Sequence, residues 1–111
     1  MSSVINLYRS EPMREFDKLQ NMLVDTTLST LAASCPVGTD SYMICIEKYY
    51  VRNNNFAALT LVIENSAQGS KAKIIGFGGG GGVLNFDYGA NSNYAKKCAE
   101  ILVKFFDFKI A

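Results

Sequence analysis

Apolar positions recur along this chain with two periods, one near the N-terminus and at the C-terminus, the other between. Phe16, Leu19 and Leu23 fall on one side of a helical wheel, with Glu15, Asp17 and Lys18 on the others. Just upstream, Ser10-Glu11-Pro12 offers a helix entry, because a Ser oxygen accepts an orphan amide and Pro has none to leave unpaired. The pattern predicts a helix from near Glu11 to about 25–28, where Thr26, Thr27, Ser29 and Thr30 are poor helix formers. Val4 to Tyr8 is a short apolar strand ahead of it. Residues 29–35 fit a short strand, with helix as the alternative, and Cys35-Pro36-Val37-Gly38 is expected to break the chain.

The middle of the chain has the two-residue period of strands. SYMICIEKYYVR (41–52), FAALTLVIE (56–64), KAKIIGF (71–77) and VLNFDYG (83–89) are separated by Asn53-Asn54-Asn55, by NSAQGS and by a five-glycine run. Helical spacing returns at Tyr94, Cys98, Ile101, Leu102, Phe105 and Phe108, with Asn91 or Ser92 as the cap after Gly89. The expected fold is a single α+β domain over 1–111. It has an antiparallel sheet of four to six strands, with the N-terminal and C-terminal helices on one face. This β-α-β4-α order resembles the TATA-binding-protein-like and helix-grip folds, which host unrelated functions and therefore imply shape only.

Alternation separates the two sheet faces. Ile44, Ile46, Leu59, Leu61, Ile63, Ala72, Ile74, Leu84, Phe86 and Tyr88 share the parity expected beneath the helices. The other parity carries Glu47, Tyr49, Thr60, Lys73, Phe77, Asn85 and Asp87 among apolar residues, too mixed for a second core and too apolar for a plain solvated face. FAALTLVI has high β-propensity and no Pro, Gly or charge, so it is expected at the centre of the sheet.

Composition then narrows the chemistry. Eleven Lys+Arg against ten Asp+Glu give +1, which removes the electrostatic case for a nucleic-acid partner. With no His, histidine-based catalysis and histidine metal sites are excluded, and three widely spaced cysteines suggest neither a disulfide framework nor a zinc site. No stretch is long and apolar enough to span a membrane, and the N-terminus lacks the basic and apolar blocks of a signal peptide. A cytoplasmic location is expected.

The remaining motifs are weak. Gly78, Gly79, Gly80, Gly81 and Gly82 precede a strand-like segment and no Lys-Ser or Lys-Thr, which suits a flexible hairpin tip or a stretch that another backbone approaches closely, and not a phosphate loop. Lys48-Tyr49-Tyr50-Val51-Arg52 mixes basic and aromatic residues, but Tyr49 and Tyr50 point to opposite faces, unlike the aromatic platforms of RNA readers.

IEKYYVRNNNFAALTLVIEN, GFGGGGG and FDYGA, within residues 41–90, resemble a family of small uncharacterised proteins from Gram-positive bacteria, a domain of unknown function. The resemblance implies a bacterial intracellular protein of α+β architecture and brings no catalytic residues with it.

The expectation is a non-enzymatic domain that self-associates as a homodimer through the mixed sheet face or an edge strand. The alternative is a binder of a small apolar or amphipathic ligand between sheet and helix. No cofactor, metal, nucleic acid or membrane partner is expected.

Overall fold

A computed structural model describes residues 2–50, 55–78 and 88–111, with side chains described for 4–49, 56–76 and 93–111. Strand β1 (Ser2–Arg9) leads to helix α1 (Phe16–Thr27), followed by β2 (Thr30–Val37), β3 (Ser41–Tyr50), β4 (Asn55–Ser66) and β5 (Gly69–Gly78). Helix α2 (Tyr88–Phe106) and the two-residue β6 (Lys109–Ile110) complete the chain. The strands form one six-stranded sheet in the order β2-β3-β4-β5-β1-β6, antiparallel at every pairing. The expected α+β order is present, and the apolar strand β4 is central, flanked by β3 and β5.

The parity reading of the covered face holds in the register. Ile44 pairs with Leu61 and Leu61 with Ile74, while Ile46 pairs with Leu59 and Ile63 with Ala72. All of these side chains are buried, together with Leu7 of β1. Leu19 and Leu23 from α1 join the same cluster as Tyr94, Ala95, Cys98, Ala99, Ile101, Leu102 and Phe106 from α2. Both helices therefore lie on one face of the sheet. Phe16 stacks on Tyr42 with ring centroids 4.5 Å apart, which anchors α1 over β3.

Several boundaries differ from expectation. Helix α1 begins at Phe16, not near Glu11, and Glu15 at its N-cap position makes no side-chain cap. The segment after Ser10 is instead held in non-helical form by side chains from elsewhere in the fold. Cys35, Pro36 and Val37 do not break the chain; they finish β2, an edge strand where a missing Pro amide can be tolerated, and the turn follows at Gly38. Tyr88 and Gly89 belong to α2 and not to a strand, so Asn91 and Ser92 lie inside the helix. The expected strand residues 83–87, Leu84 and Phe86 among them, fall outside the described residues.

The C-terminal stripe also changes. Helix α2 ends at Phe106, where Asp107 takes φ +60°, so Phe108 reaches the core from beyond the helix. Within the helix the buried row runs Tyr94, Cys98, Leu102 and Phe106 at steps of four, so Phe106 is buried and Phe105, expected on the stripe, is 56% exposed.

The connection between β1 and α1 is clamped from two sides. Arg9 donates Nε to the Glu11 carbonyl, Nη2 to the Pro12 carbonyl and Nη1 to the Phe106 carbonyl, all at 2.7–2.8 Å. From the other side, buried Asn65 accepts from the Met13 amide at 2.9 Å and donates Nδ2 to the Met13 carbonyl at 2.8 Å. Ser70 donates to Asn65 Oδ1 and accepts from the Met13 amide at 2.7 Å. These bonds satisfy polar groups that burial would otherwise penalise.

Candidate functional site: the open face of the sheet

The face turned away from the helices is organised in rows across the strands. Ala33, Cys45, Thr60, Ile75 and Val4 are successive partners from β2 to β1, a row without a charge. The next row runs Cys35, Met43, Val62, Lys73 and Asn6, and the one beyond it Val37, Ser41, Glu64, Lys71 and Tyr8. On the other side of the uncharged row lies Glu47, opposite Ala58 and Thr30. Tyr49 and Phe56 close that end, with ring centroids 5.0 Å apart.

This arrangement follows from the sequence locally. A β-bulge between Leu31 and Ala33 shifts the register of β2, so that Ala33 and Cys35 both reach the open face. Val4, Tyr8, Val37, Tyr49 and Phe56 are exposed, Val4 and Phe56 to 54% each, while Met43, Cys45, Thr60, Val62 and Ile75 are half-buried by their neighbours. Cys45 Sγ and Thr60 Oγ1 meet at 3.7 Å across β3 and β4. Val37, Ser41, Glu64, Lys71 and Tyr8 border a groove of about 620 Å³ that crosses the face at the charged end.

Of the residues singled out from sequence, Glu47, Tyr49, Thr60 and Lys73 share this face. It does not bring Glu47 and Lys73 together as a pair. Glu47 opposes Ala58, and Lys73 opposes Val62. They stand two strands and four register positions apart, about 16 Å on sheet spacing. Phe77 occupies a backbone position of this face opposite Ala58, and Gly78 is the last residue of β5. Asn85, Asp87 and Gly79, Gly80, Gly81 and Gly82 lie outside the described residues.

Among the described residues no three of Cys, Asp and Glu come together as a metal-binding group. Cys98 is fully enclosed in the core, where desolvation pushes its thiol pKa up and keeps it protonated. Among the described residues the only ion pair is Lys18–Glu15 on α1, at 3.9 Å, so Glu64, Lys71 and Lys73 hold their charges at the open face without one. No described helix is long and apolar enough to cross a membrane.

The sequence reading missed the clamp formed by Arg9, Asn65 and Ser70. The signal available was the pair of small polar residues flanking the 65–70 turn, which is ordinary turn chemistry until burial is known.

The model of a family of unknown function, DUF6054, matches residues 17–106, and the chain belongs to that family. The match extends well beyond the 41–90 segment that carried the resemblance, taking in both helices. No curated protein and no solved structure matches the chain.

Proposed function

We propose that this DUF6054 member is a non-enzymatic, bacterial cytoplasmic domain that self-associates as a homodimer through the open face of its sheet. The observation that carries this reading is the uncharged row Ala33–Cys45–Thr60–Ile75–Val4, which spans five strands between Glu47 on one side and Lys73, Lys71 and Glu64 on the other. An apolar centre with a charged rim is the usual anatomy of a protein interface. Five strands about 4.8 Å apart and about 34 Å long present roughly 800 Å² in projection, the area per partner of a standard interface.

The face is favoured over the β2 edge for a physical reason. Pro36 removes an amide from β2 and the bulge at Leu31/Ala33 breaks its regularity, two devices that keep edge strands from pairing. The bacterial and cytoplasmic part of the proposal rests on the sequence resemblance and on three free cysteines, which suit a reducing compartment.

A second reading has its own support. The groove of about 620 Å³ on the same face is within the size range of small-ligand sites and is bordered by Tyr8, Val37 and Val62 with Lys71, Lys73 and Glu64. An amphipathic ligand with an acidic head would fit that lining. Native mass spectrometry of the freshly purified protein separates the two: a doubled mass supports the dimer, and a chain mass plus a retained small molecule supports the ligand.

A further inference from the structure

The far edge of the sheet is built differently from β2. Strand β6 pairs with β1 only at Leu7 and Tyr8, and the Ala111 amide donates to the Asn6 carbonyl at 2.9 Å. That bond fixes which way the β1 backbone faces. The groups of Asn6 point outward, and because strand residues two apart share a side, so do those of Val4 and Ser2. No described residue pairs with Val4 or Ser2 on that side. Residues 2–8 of β1 contain no Pro and no charge, and their pairing with β5 has no bulge. The devices that close the β2 edge are absent from this stretch.

Beside this stretch of β1 lies a groove of about 540 Å³ between α2, β1 and β6. Ile5, Ala99, Val103 and Ile110 supply its apolar surface, and Lys96, Glu100 and Lys104 its charges. The three charged residues are spaced i, i+4, i+8 and so form one row along α2, with the lysines about 12 Å apart. Among the described residues neither lysine makes an ion pair.

We propose that this edge accepts an extended peptide strand from a partner protein, one that carries two acidic residues four positions apart with an apolar residue midway. Its main chain would add to β1 at Val4 and Ser2, as in other strand-addition complexes. In a strand, residues four apart lie on one face about 13–14 Å from each other, matching the separation of Lys96 and Lys104. The apolar residue between them would lie level with Ala99, beside Glu100, over the apolar lining that Ile5 also supplies. A second copy of this chain is a poorer occupant, because pairing β1 with β1 brings two rows of net positive charge side by side.

The test is an NMR amide titration of the full chain with acetyl-Thr-Glu-Thr-Val-Thr-Glu-Thr-amide and with the same peptide carrying Lys in place of both Glu. The acidic peptide should shift the Val4 and Asn6 amides and those of residues 96–104, and bind at least about tenfold tighter than the basic one. Val4→Pro removes an outward amide while leaving the β1–β5 bonds, and should lose about tenfold in affinity. The double variant Lys96→Glu/Lys104→Glu alters only exposed side chains, leaves the fold intact and should reverse the preference toward the basic peptide. Equal binding of both peptides, a preference that the charge reversal leaves unchanged, or shifts that fall on Thr60 and Ile75 instead would overturn the proposal.

Discussion

The Arg9 guanidinium donates Nη1 to the Phe106 carbonyl at 2.7 Å, a bond between residues 97 positions apart that ties the first strand to the last turn of α2. The same side chain holds the Glu11 and Pro12 carbonyls and lies over the Phe108 ring, 5.7 Å from its centroid. A cation at a helix C-terminus also complements the helix dipole. Arg9→Ala should therefore cost about 2–3 kcal/mol in urea unfolding. Arg9→Lys should recover only part of that, because an ammonium cannot reproduce three forked bonds.

The opposite side of the clamp makes a sharper demand on sequence. Gly69 adopts φ +130°, and a Cβ there would lie 2.1 Å from the Arg9 carbonyl oxygen. Gly69→Ala should destabilise by about 3 kcal/mol or more, since neither backbone can move without breaking the hairpin or the clamp. Gly38 is the control: its φ is +67° with nothing within 4 Å of a built Cβ, so Gly38→Ala should cost only about 1 kcal/mol. Equal thermal shifts for the two variants would remove the distinction.

Asn65 and Ser70 close the same region from within the protein. Asn65→Ala leaves the Met13 carbonyl without its side-chain donor in a buried setting, and should cost about 2 kcal/mol. The loss should coincide with faster hydrogen exchange at Met13, whose amide is then held by Ser70 alone.

The three cysteines should separate by accessibility. Cys35 is exposed, Cys45 half-buried and Cys98 buried, so an alkylating reagent should modify them in that order, with Cys98 reacting only on unfolding. Burial raises the Cys98 thiol pKa, so the folded chain keeps a proton that the unfolded chain gives up. Its contribution to stability is fully present below the free-thiol pKa of about 8.5 and is lost progressively as pH rises above it. Cys98→Ala should flatten the difference in stability between about pH 8 and pH 10. An unchanged pH slope would contradict the assignment.

Sequence made the strand faces readable because side chains alternate with a period of two, and the register places Ile44, Leu61 and Ile74 side by side as that period requires. The open face was legible for the same reason: Glu47, Tyr49, Thr60 and Lys73 lie on it. Long-range polar contacts were not. Arg9 looks like an ordinary surface charge until Phe106 is seen to end a helix beside it, and nothing in the local letters of 10–15 reveals that Asn65 and Ser70 bind the Met13 backbone there. The late start of α1 goes with such contacts, and the burial of Phe108 from beyond α2 follows a single left-handed residue at Asp107; periodicity encodes neither.

If two copies meet through the uncharged row of the open face, as proposed, sedimentation equilibrium will separate the wild type from Ile75→Glu. Ile75 lies between Thr60 and Val4 on the half-buried open face, so the substitution places a charge in the contact while sparing the helix-covered core. The wild type should sediment as a dimer at micromolar concentration and the variant as a folded monomer. A wild type that remains monomeric at high micromolar concentration, or an Ile75→Glu variant that stays dimeric, would contradict it.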